Sequence, residues 1–557
     1  MKIFNGIAGA PGMVCAGLIC FEKKSEKKQF ESFDEVVEKA LEKVRMLHKK
    51  AFDELGEDKA KIFSAYEMLL ADSMLTDPMK AMIESGTDTE AAVRGVTETM
   101  AEKLAKKDNE YMRQRADDIR YIGELLSDVL NGADGEFAFP DDGEKYIVAA
   151  RELTPVDTML FDTSRLAGFI TEKGGATSHI IILAKSLGIP AVVGAENAEK
   201  AGNAKRAYLD GYRGELTVSP DEKTETELKK RLEEEKALCK NMEKLKSTPA
   251  MTKDGERIAV CINIGKPLDM EGADEESIDG VGLFRSEFLY SAADKKPSCE
   301  EQIKAYRDVI LKARPNGVTI RTLDAGGDKQ LEYLSMEKEE NPFLGNRGIR
   351  LCLNNPEIFG EQLRAILIAA AGEKVKIMLP MVSSLNEIRK TKAMICDIQS
   401  ELEAVGVEYC KNPQIGIMIE TPASAVMAET FAKYSDFFSI GTNDLVQYIT
   451  AADRGNAGVE EIYNPYHPAV MRLLNNTIKA GNDAGIEVSV CGDMAANGNF
   501  TELLIGMGLK KFSVPLPMAA RIKHKISNID VNSAKELAQK VLSADDENEV
   551  KNLLMGR

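Results

Sequence analysis

The chain has 557 residues, too many for one hydrophobic core, so roughly two to four domains are expected. Its 44% apolar and 29% charged residues are the balance of an ordinary soluble globular protein. The formal net charge of −18 argues against nucleic acid or an anionic membrane as partner, since either would repel the chain; it leaves room for a basic protein, or for an anionic metabolite in a locally basic pocket.

The nine cysteines are scattered, with no C-x-x-C pair and no ligand-like spacing to histidine, which reads as reduced thiols in a cytoplasmic protein. The fairly apolar stretch 7–20 has only Lys2 ahead of it and is broken by Ala10-Pro11-Gly12, so it reads as strand and turn, not as a signal peptide. No apolar run is long enough to span a membrane.

Residues 31–131 read as a helical bundle. Val37, Leu41, Val44 and Leu47 recur at helical spacing, as do Val93, Val96, Met100 and Leu104, and then Ala116, Ile119, Ile122, Leu126 and Val129. Thr87 and Glu90 suggest a capping box, and His48 reads as a surface or packing histidine. From Lys145 to Pro220 short apolar runs are broken by glycine. Strands are predicted at 146–149, 168–171, 191–193 and 215–218, with a helix over 178–187. The N-terminal segment has strand character too and can join this sheet, which would make the bundle an insertion. Residues 222–247 form a charged connecting helix with Leu228, Leu232, Leu238, Met242 and Leu245 on one side.

The remainder alternates strands and helices. Strands are predicted at 258–264, 281–284, 318–320, 375–379, 415–419, 437–440, 488–490 and 512–514. Eight parallel strands over this length indicate a (β/α)8 TIM barrel, which typically takes about 250 residues. Arg285, Arg321, Glu420, Asn443 with Asp444, and Cys491 each follow a strand's last apolar residue, the position of the barrel mouth where chemistry occurs.

His179 closes the run Gly174-Gly175-Ala176-Thr177-Ser178-His179, a turn that Thr177 or Ser178 can cap into a helix. In the first turn of that helix the positive end lowers the imidazole pKa and keeps the ring neutral and nucleophilic, while the free N–H groups suit an added phosphoryl anion. A capping or packing histidine is the alternative for the motif alone. Arg285, Arg321, Arg347 and Arg454, all in mouth loops, suit a small polyanion, although any one of them could equally be a salt-bridge partner. Glu420 and Asp444 supply hard oxygens for Mg²⁺; a general acid–base pair or a structural bridge are their alternatives. Cys491 could donate a proton.

These segments resemble the phosphoenolpyruvate-utilising enzymes, and most closely the Enzyme I (phosphoenolpyruvate–protein phosphotransferase) family of the sugar phosphotransferase system. The resemblance covers nearly the whole chain, through the blocks G-G-x-T-S-H, G-L-F-R-S-E-F, R-T-L-D-A-G-G-D-K, E-N-P-F-L-G-N-R, I-E-T-P-A, F-S-I-G-T-N-D-L-V-Q-Y, D-R-G-N and V-C-G-D-M-A. It implies that His179 accepts the phosphoryl group of phosphoenolpyruvate through Nε2 and passes it to the phosphocarrier HPr. It implies that Arg285 and Arg321 grip the phosphate, with Asn443 and Arg454 completing the site and Lys329 and Arg347 contributing. Glu420 and Asp444 would hold Mg²⁺, Cys491 would protonate the enolate carbon, and Thr158 would orient the histidine.

The implied architecture is a multidomain α/β chain. Residues 1–25 plus 143–221 form a swivelling phosphohistidine domain, 26–142 an inserted helical HPr-binding domain, 222–250 a linker helix, and 251–557 a barrel that binds the substrate and forms the homodimer. Three positions depart from the family pattern: Asp493 stands for glutamate, Phe284 for tyrosine and Ser286 for threonine. Nucleotide-using relatives, the pyruvate phosphate dikinases and phosphoenolpyruvate synthases, need a large ATP-binding domain for which the helical N-terminal 140 or so residues leave no room, and no Gly-rich phosphate loop is apparent. A regulatory scaffold with a silent barrel is disfavoured by the intact set of acids, arginines and Cys491.

Overall fold

In the computed structural model, the structure describes residues 1–21, 30–55, 57–105, 110–132, 139–153, 157, 161–174, 180–181, 184, 187–271, 273, 278–291, 296–327, 339–454, 456–459 and 461–556. They form two compact units, Met1–Ala237 and Leu238–Arg557.

The first unit contains a mixed eight-stranded sheet, in the order β1-β8-β7-β3-β4-β5-β6-β2. Its strands are β1 (Lys2–Asn5), β2 (Ile7–Ala10), β3 (Met13–Cys20), β4 (Tyr146–Ala150), β5 (Leu166–Thr171), β6 (Ala191–Val193), β7 (Ala204–Asp210) and β8 (Glu215–Val218). The N-terminal strands do join this sheet, with β3 running parallel to β4. Period-two alternation sends Ile147 and Ala149 to one apolar layer and Val148 and Ala150 to the other, so both faces are covered. β7 is absent from the predicted strands because exposed Lys205 and Arg206 interrupt its apolar pattern.

Between β3 and β4 the chain forms α1 (Phe33–Leu55), α2 (Glu57–Ala71), α3 (Ser73–Glu84), α4 (Thr89–Ala105) and α5 (Glu110–Leu130). Val44, Leu47, Tyr66, Met79, Val93, Ile122 and Leu126 fill their shared core. The start of α4 corrects the capping expectation: Asp88, not Thr87, accepts the free N–H of Ala91, at 3.2 Å. His48 is held between Glu67 Oε1 at 3.2 Å and Ser64 Oγ at 3.4 Å, a packing role.

The helix α6 (Glu222–Lys246) follows β8. Its first half is anchored: Leu228 and Leu232 pack with Tyr208 of β7, and Arg231 pairs with Asp210. Asp210 also accepts the N–H groups of Tyr212 and Arg213 at 2.9 and 3.0 Å, so one buried carboxylate organises both the turn and the helix.

The second unit is a closed barrel of eight parallel strands, as the pattern of apolar runs predicts. They are β10 (Arg257–Ile264), β11 (Val281–Arg285), β12 (Val318–Arg321), β13 (Val375–Leu379), β14 (Gln414–Ile419), β15 (Phe437–Gly441), β16 (Glu487–Cys491) and β17 (Lys511–Pro515). Pairing of β10 with both β11 and β17 closes the ring, and the short β9 (Ala250–Met251) adds to β10 antiparallel. Leu283, Met378, Met418, Phe437 and Cys491 form a buried cluster of their own from five of the strands. Gly416 makes room for it, since a Cβ there would lie 2.5 Å from the Phe437 ring.

Asp210→Ala is expected to cost about 3 kcal/mol by stranding Arg231 and two backbone donors. Hydrogen exchange should show faster exchange over 222–237, with the barrel amides unchanged.

Candidate active site

The C-terminal mouth of the barrel buries charges that a folded interior normally excludes. Parallel register sets Arg285, at the end of β11, beside Arg321, at the end of β12. Arg321 is 6% exposed; it pairs with Glu287, and its Nη1 lies 3.3 Å from Asp324 Oδ2. Ser286 keeps the hydroxyl of the threonine it replaces in use, donating to the Arg321 carbonyl at 2.6 Å. Phe284 is fully buried, edge-on to Tyr306 at 5.9 Å.

Arg347, only 1% exposed, joins two loops to this cluster. Its Nε and Nη2 donate to the two oxygens of Asp324 at 3.1 and 3.3 Å, and its Nη1 and Nη2 to those of Asp444, both at 3.1 Å. Sequence reasoning missed Asp324 and Glu287 as partners. The one available signal was an acid inside each strand-end block, R-T-L-D and F-R-S-E.

Burial opposes the charge on Arg321, but Glu287, Asp324 and Glu420 outweigh it and hold the guanidinium protonated beyond its ordinary range. Its Nε is buried and finds no hydrogen-bond partner among the described residues. That leaves one strong donor for an incoming anion.

Glu420 follows β14 and is 1% exposed; its Oε1 accepts the N–H of Met381 at 2.6 Å. Met381 makes this contact from a left-handed backbone (φ 58°), a conformation costly for a side chain of its size. Burial, then the charges of Asp444 and Asp324, push the Glu420 carboxyl up to about 8 despite Arg321 and Arg347.

Cys491 ends β16, next to Gly441 of β15 in register. Its Sγ donates to the Ile440 carbonyl and accepts from Ser439 Oγ, each at 3.4 Å. Burial raises the thiol pKa, so the group holds its proton. Asn443 and Asp493 grip each other reciprocally, Nδ2 to Oδ2 at 3.1 Å and the Asp493 N–H to Oδ1 at 2.9 Å. Arg454 has an exposed side chain, and its N–H is held by Gln447 Oε1 at 3.2 Å. The mouth thus brings together Arg285, Arg321, Arg347, Glu420, Asn443, Asp444 and Cys491. His179, Thr158 and Lys329 lie outside the described residues, as does most of the helix predicted over 178–187.

Three stretches of the chain match families of PEP-utilising enzymes, PEP being phosphoenolpyruvate: the N-terminal family over residues 4–115, the mobile domain over 142–214 and the PEP-binding domain over 239–531. The last spans every strand of the barrel. Fold and mouth together are those of a phosphoryl-transfer enzyme that uses PEP. The phosphoenolpyruvate-protein phosphotransferase of Listeria monocytogenes is 39% identical, with 99% of both chains covered. Those of Bacillus subtilis and Staphylococcus aureus are 38% and 36% identical, each covering 99% of this chain and 98% of its own. The chain belongs to the phosphoenolpyruvate-protein phosphotransferase family.

PEP-utilising enzymes use a metal ion, and the mouth suits one. Four buried carboxylates (Glu287, Asp324, Glu420, Asp444) face two buried guanidiniums (Arg321, Arg347), a crowding of acids that adds to burial in raising the Glu420 pKa. A divalent cation taking hard oxygens from Glu420 and Asp444 would relieve it.

Arg347→Met would leave Asp324 and Asp444 buried without their main cation. Denaturant unfolding should show the barrel destabilised by about 3–5 kcal/mol.

Proposed function

We propose that this protein moves the phosphoryl group of phosphoenolpyruvate onto His179 and then onto the histidine of the carrier HPr, releasing pyruvate, as the first step of sugar uptake in the cytoplasm. One observation carries the reading: paired Arg285 and Arg321 stand at the same barrel mouth as Glu420, Asp444 and a buried, protonated Cys491. Anion grip, metal-binding oxygens and an acid are what this conversion requires.

In this reading Arg285 and Arg321 hold the phosphoryl oxygens, with the free Nε of Arg321 as one donor. Asn443, Arg454 and Lys329 position the rest of the substrate. Arg347 acts through Asp444, which it holds by both oxygens. Mg²⁺ held by Glu420 and Asp444 would neutralise charge on the substrate oxygens.

His179 attacks phosphorus in line as a neutral ring, and the phosphorus–oxygen bond breaks with its electrons left on the enolate. Cys491 gives its proton to the enolate carbon, forming pyruvate, and regains one from solvent. Burial suits the thiol to this role by holding its proton until a strong base forms beside it.

Position 179 falls within the 142–214 mobile-domain match, while the mouth belongs to the other compact unit. The histidine therefore shuttles: residues 1–25 plus 143–221 swing between the barrel (251–557) and the HPr dock on 26–142, about the linker helix 222–250. The barrel exposes Leu344, Val426, Met427 and Ile462, which supports its role as the homodimer surface. Among the described residues no helix is long and apolar enough to cross a membrane.

Incubation with ³²P-labelled phosphoenolpyruvate and Mg²⁺, without nucleotide, should place acid-labile label on the protein and chase it onto added HPr. His179→Ala should lose the label yet still bind phosphoenolpyruvate; a requirement for ATP, or label surviving in that variant, would refute the assignment. Cys491→Ser should slow pyruvate release by about 10²–10⁴-fold in kcat with little change in KM, measured by a coupled pyruvate assay.

A further inference from the structure

The opposite end of the barrel carries a cavity that this chemistry does not use. It has a volume of about 1300 Å³ and is lined by residues that begin the strands, among them Arg257, Val281, Val318, Glu487 and Lys511. Inside it Lys376 Nζ and Lys511 Nζ donate to the same atom, Glu487 Oε1, at 2.7 and 3.0 Å. The two lysine side chains are 22% and 15% exposed, and Lys376 Nζ stands 5.4 Å from the Phe437 ring centroid. Arg257, at the rim, is already neutralised by Asp279 at 2.8 Å.

One carboxylate oxygen thus serves two sheltered cations; burial lowers the Lys511 amine, but Cys261, Glu487 and Asp279 outweigh it and hold that amine above its ordinary value. Lys376 is the undercompensated partner: burial and the nearby Lys511 pull its amine below the ordinary value even with Glu487 in contact. Burial opposes the Glu487 charge, but Lys511 and Lys376 outweigh it and hold the carboxylate below its usual range through the one oxygen they share. Each ammonium has three donors and gives one to Glu487, so donors remain for a ligand. Val281, Val318 and Tyr409 add apolar wall, which suits a compact body behind a charged head group.

We propose that this N-terminal mouth is a second binding site, taking a small organic anion whose carboxylate or phosphate group accepts from Lys376 and Lys511. The proposal rests on the barrel geometry and stands apart from the role assigned to the C-terminal mouth.

Calorimetric titration of the full chain with inorganic phosphate, and separately with succinate, tests it. Both probes are anions the C-terminal mouth could also hold, so the titrations use an Arg285→Met background that weakens that site. Binding should persist there, weaken at least tenfold on adding Lys511→Met, and tighten about tenfold on adding Glu487→Gln, which removes the competing carboxylate. These responses to phosphate alone would mark a phosphoryl ligand, and to succinate alone a carboxylate one; either supports the site. Neither probe binding in the Arg285→Met background, or an affinity indifferent to Glu487→Gln, would overturn it. Should Lys511→Met fail to fold by circular dichroism, Glu487→Gln decides alone, because a purely structural ion triad would lose stability without gaining affinity.

Discussion

Two guanidiniums buried among four carboxylates hold the working end of this barrel, and much of the rest of the mouth is arranged to make that burial tolerable. Removing a single charge of this size from water costs several kcal/mol, recovered only when geometry and hydrogen bonding are both good. Arg347 meets that condition by spending its fork on Asp324 and Asp444 together. The arrangement constrains backbone as well as side chains. Gly326 adopts φ +105° within the loop beneath Arg347, and a Cβ there would lie 2.9 Å from the Arg347 Cα. A loop carrying any larger residue at 326 could not approach closely enough for Arg347 to reach both acids.

The same burial acts in opposite directions on neighbouring groups. It pushes the Glu420 carboxyl up to about 8, so that this group favours its protonated form near neutral pH, and it keeps the Cys491 thiol protonated beside it. Arg321 resists the effect because three acids surround it. Two acids held towards their protonated forms and a permanent cation thus coexist within one buried mouth, their states set by burial and by which neighbours each one faces rather than by residue type alone.

Much of this was legible beforehand, and the parts that were not share a cause. The eight barrel strands announce themselves as apolar runs because both their faces are covered, and the polar residues that follow five of those runs mark the mouth. β7 carries Lys205 and Arg206 on its exposed start, where its register with β3 also shifts between Ala16 and Leu18, so neither an apolar run nor a regular ladder marks that end. Arg347 reads as a substrate-facing arginine from its motif, yet its partner Asp444 lies 97 residues away, and only the closed ring of strands brings the two into contact. Glu287 and Asp324 went unremarked for the same reason: an acid near an arginine in sequence says nothing of which one will be buried against it.

Position 493 shows how such a departure can be absorbed. A glutamate there would carry one more methylene than the aspartate present, and a shorter side chain ordinarily means a looser loop. Here the grip on Asn443 has two parts, and only one involves the Asp493 carboxylate; the other is its own backbone N–H, 2.9 Å from Asn443 Oδ1. That N–H is aimed by Gly492, whose φ of +95° and missing Cβ let the chain pass close to Thr442 and Asn443, where a methyl would come within 2.5 Å of the threonine hydroxyl. Thr442 Oγ1 completes the contact by donating to the Cys491 carbonyl at 3.1 Å. The loop bearing the thiol is therefore fixed through its backbone on both sides of Gly492. The length of the side chain at 493 adjusts how Asn443 is held, not where Cys491 stands.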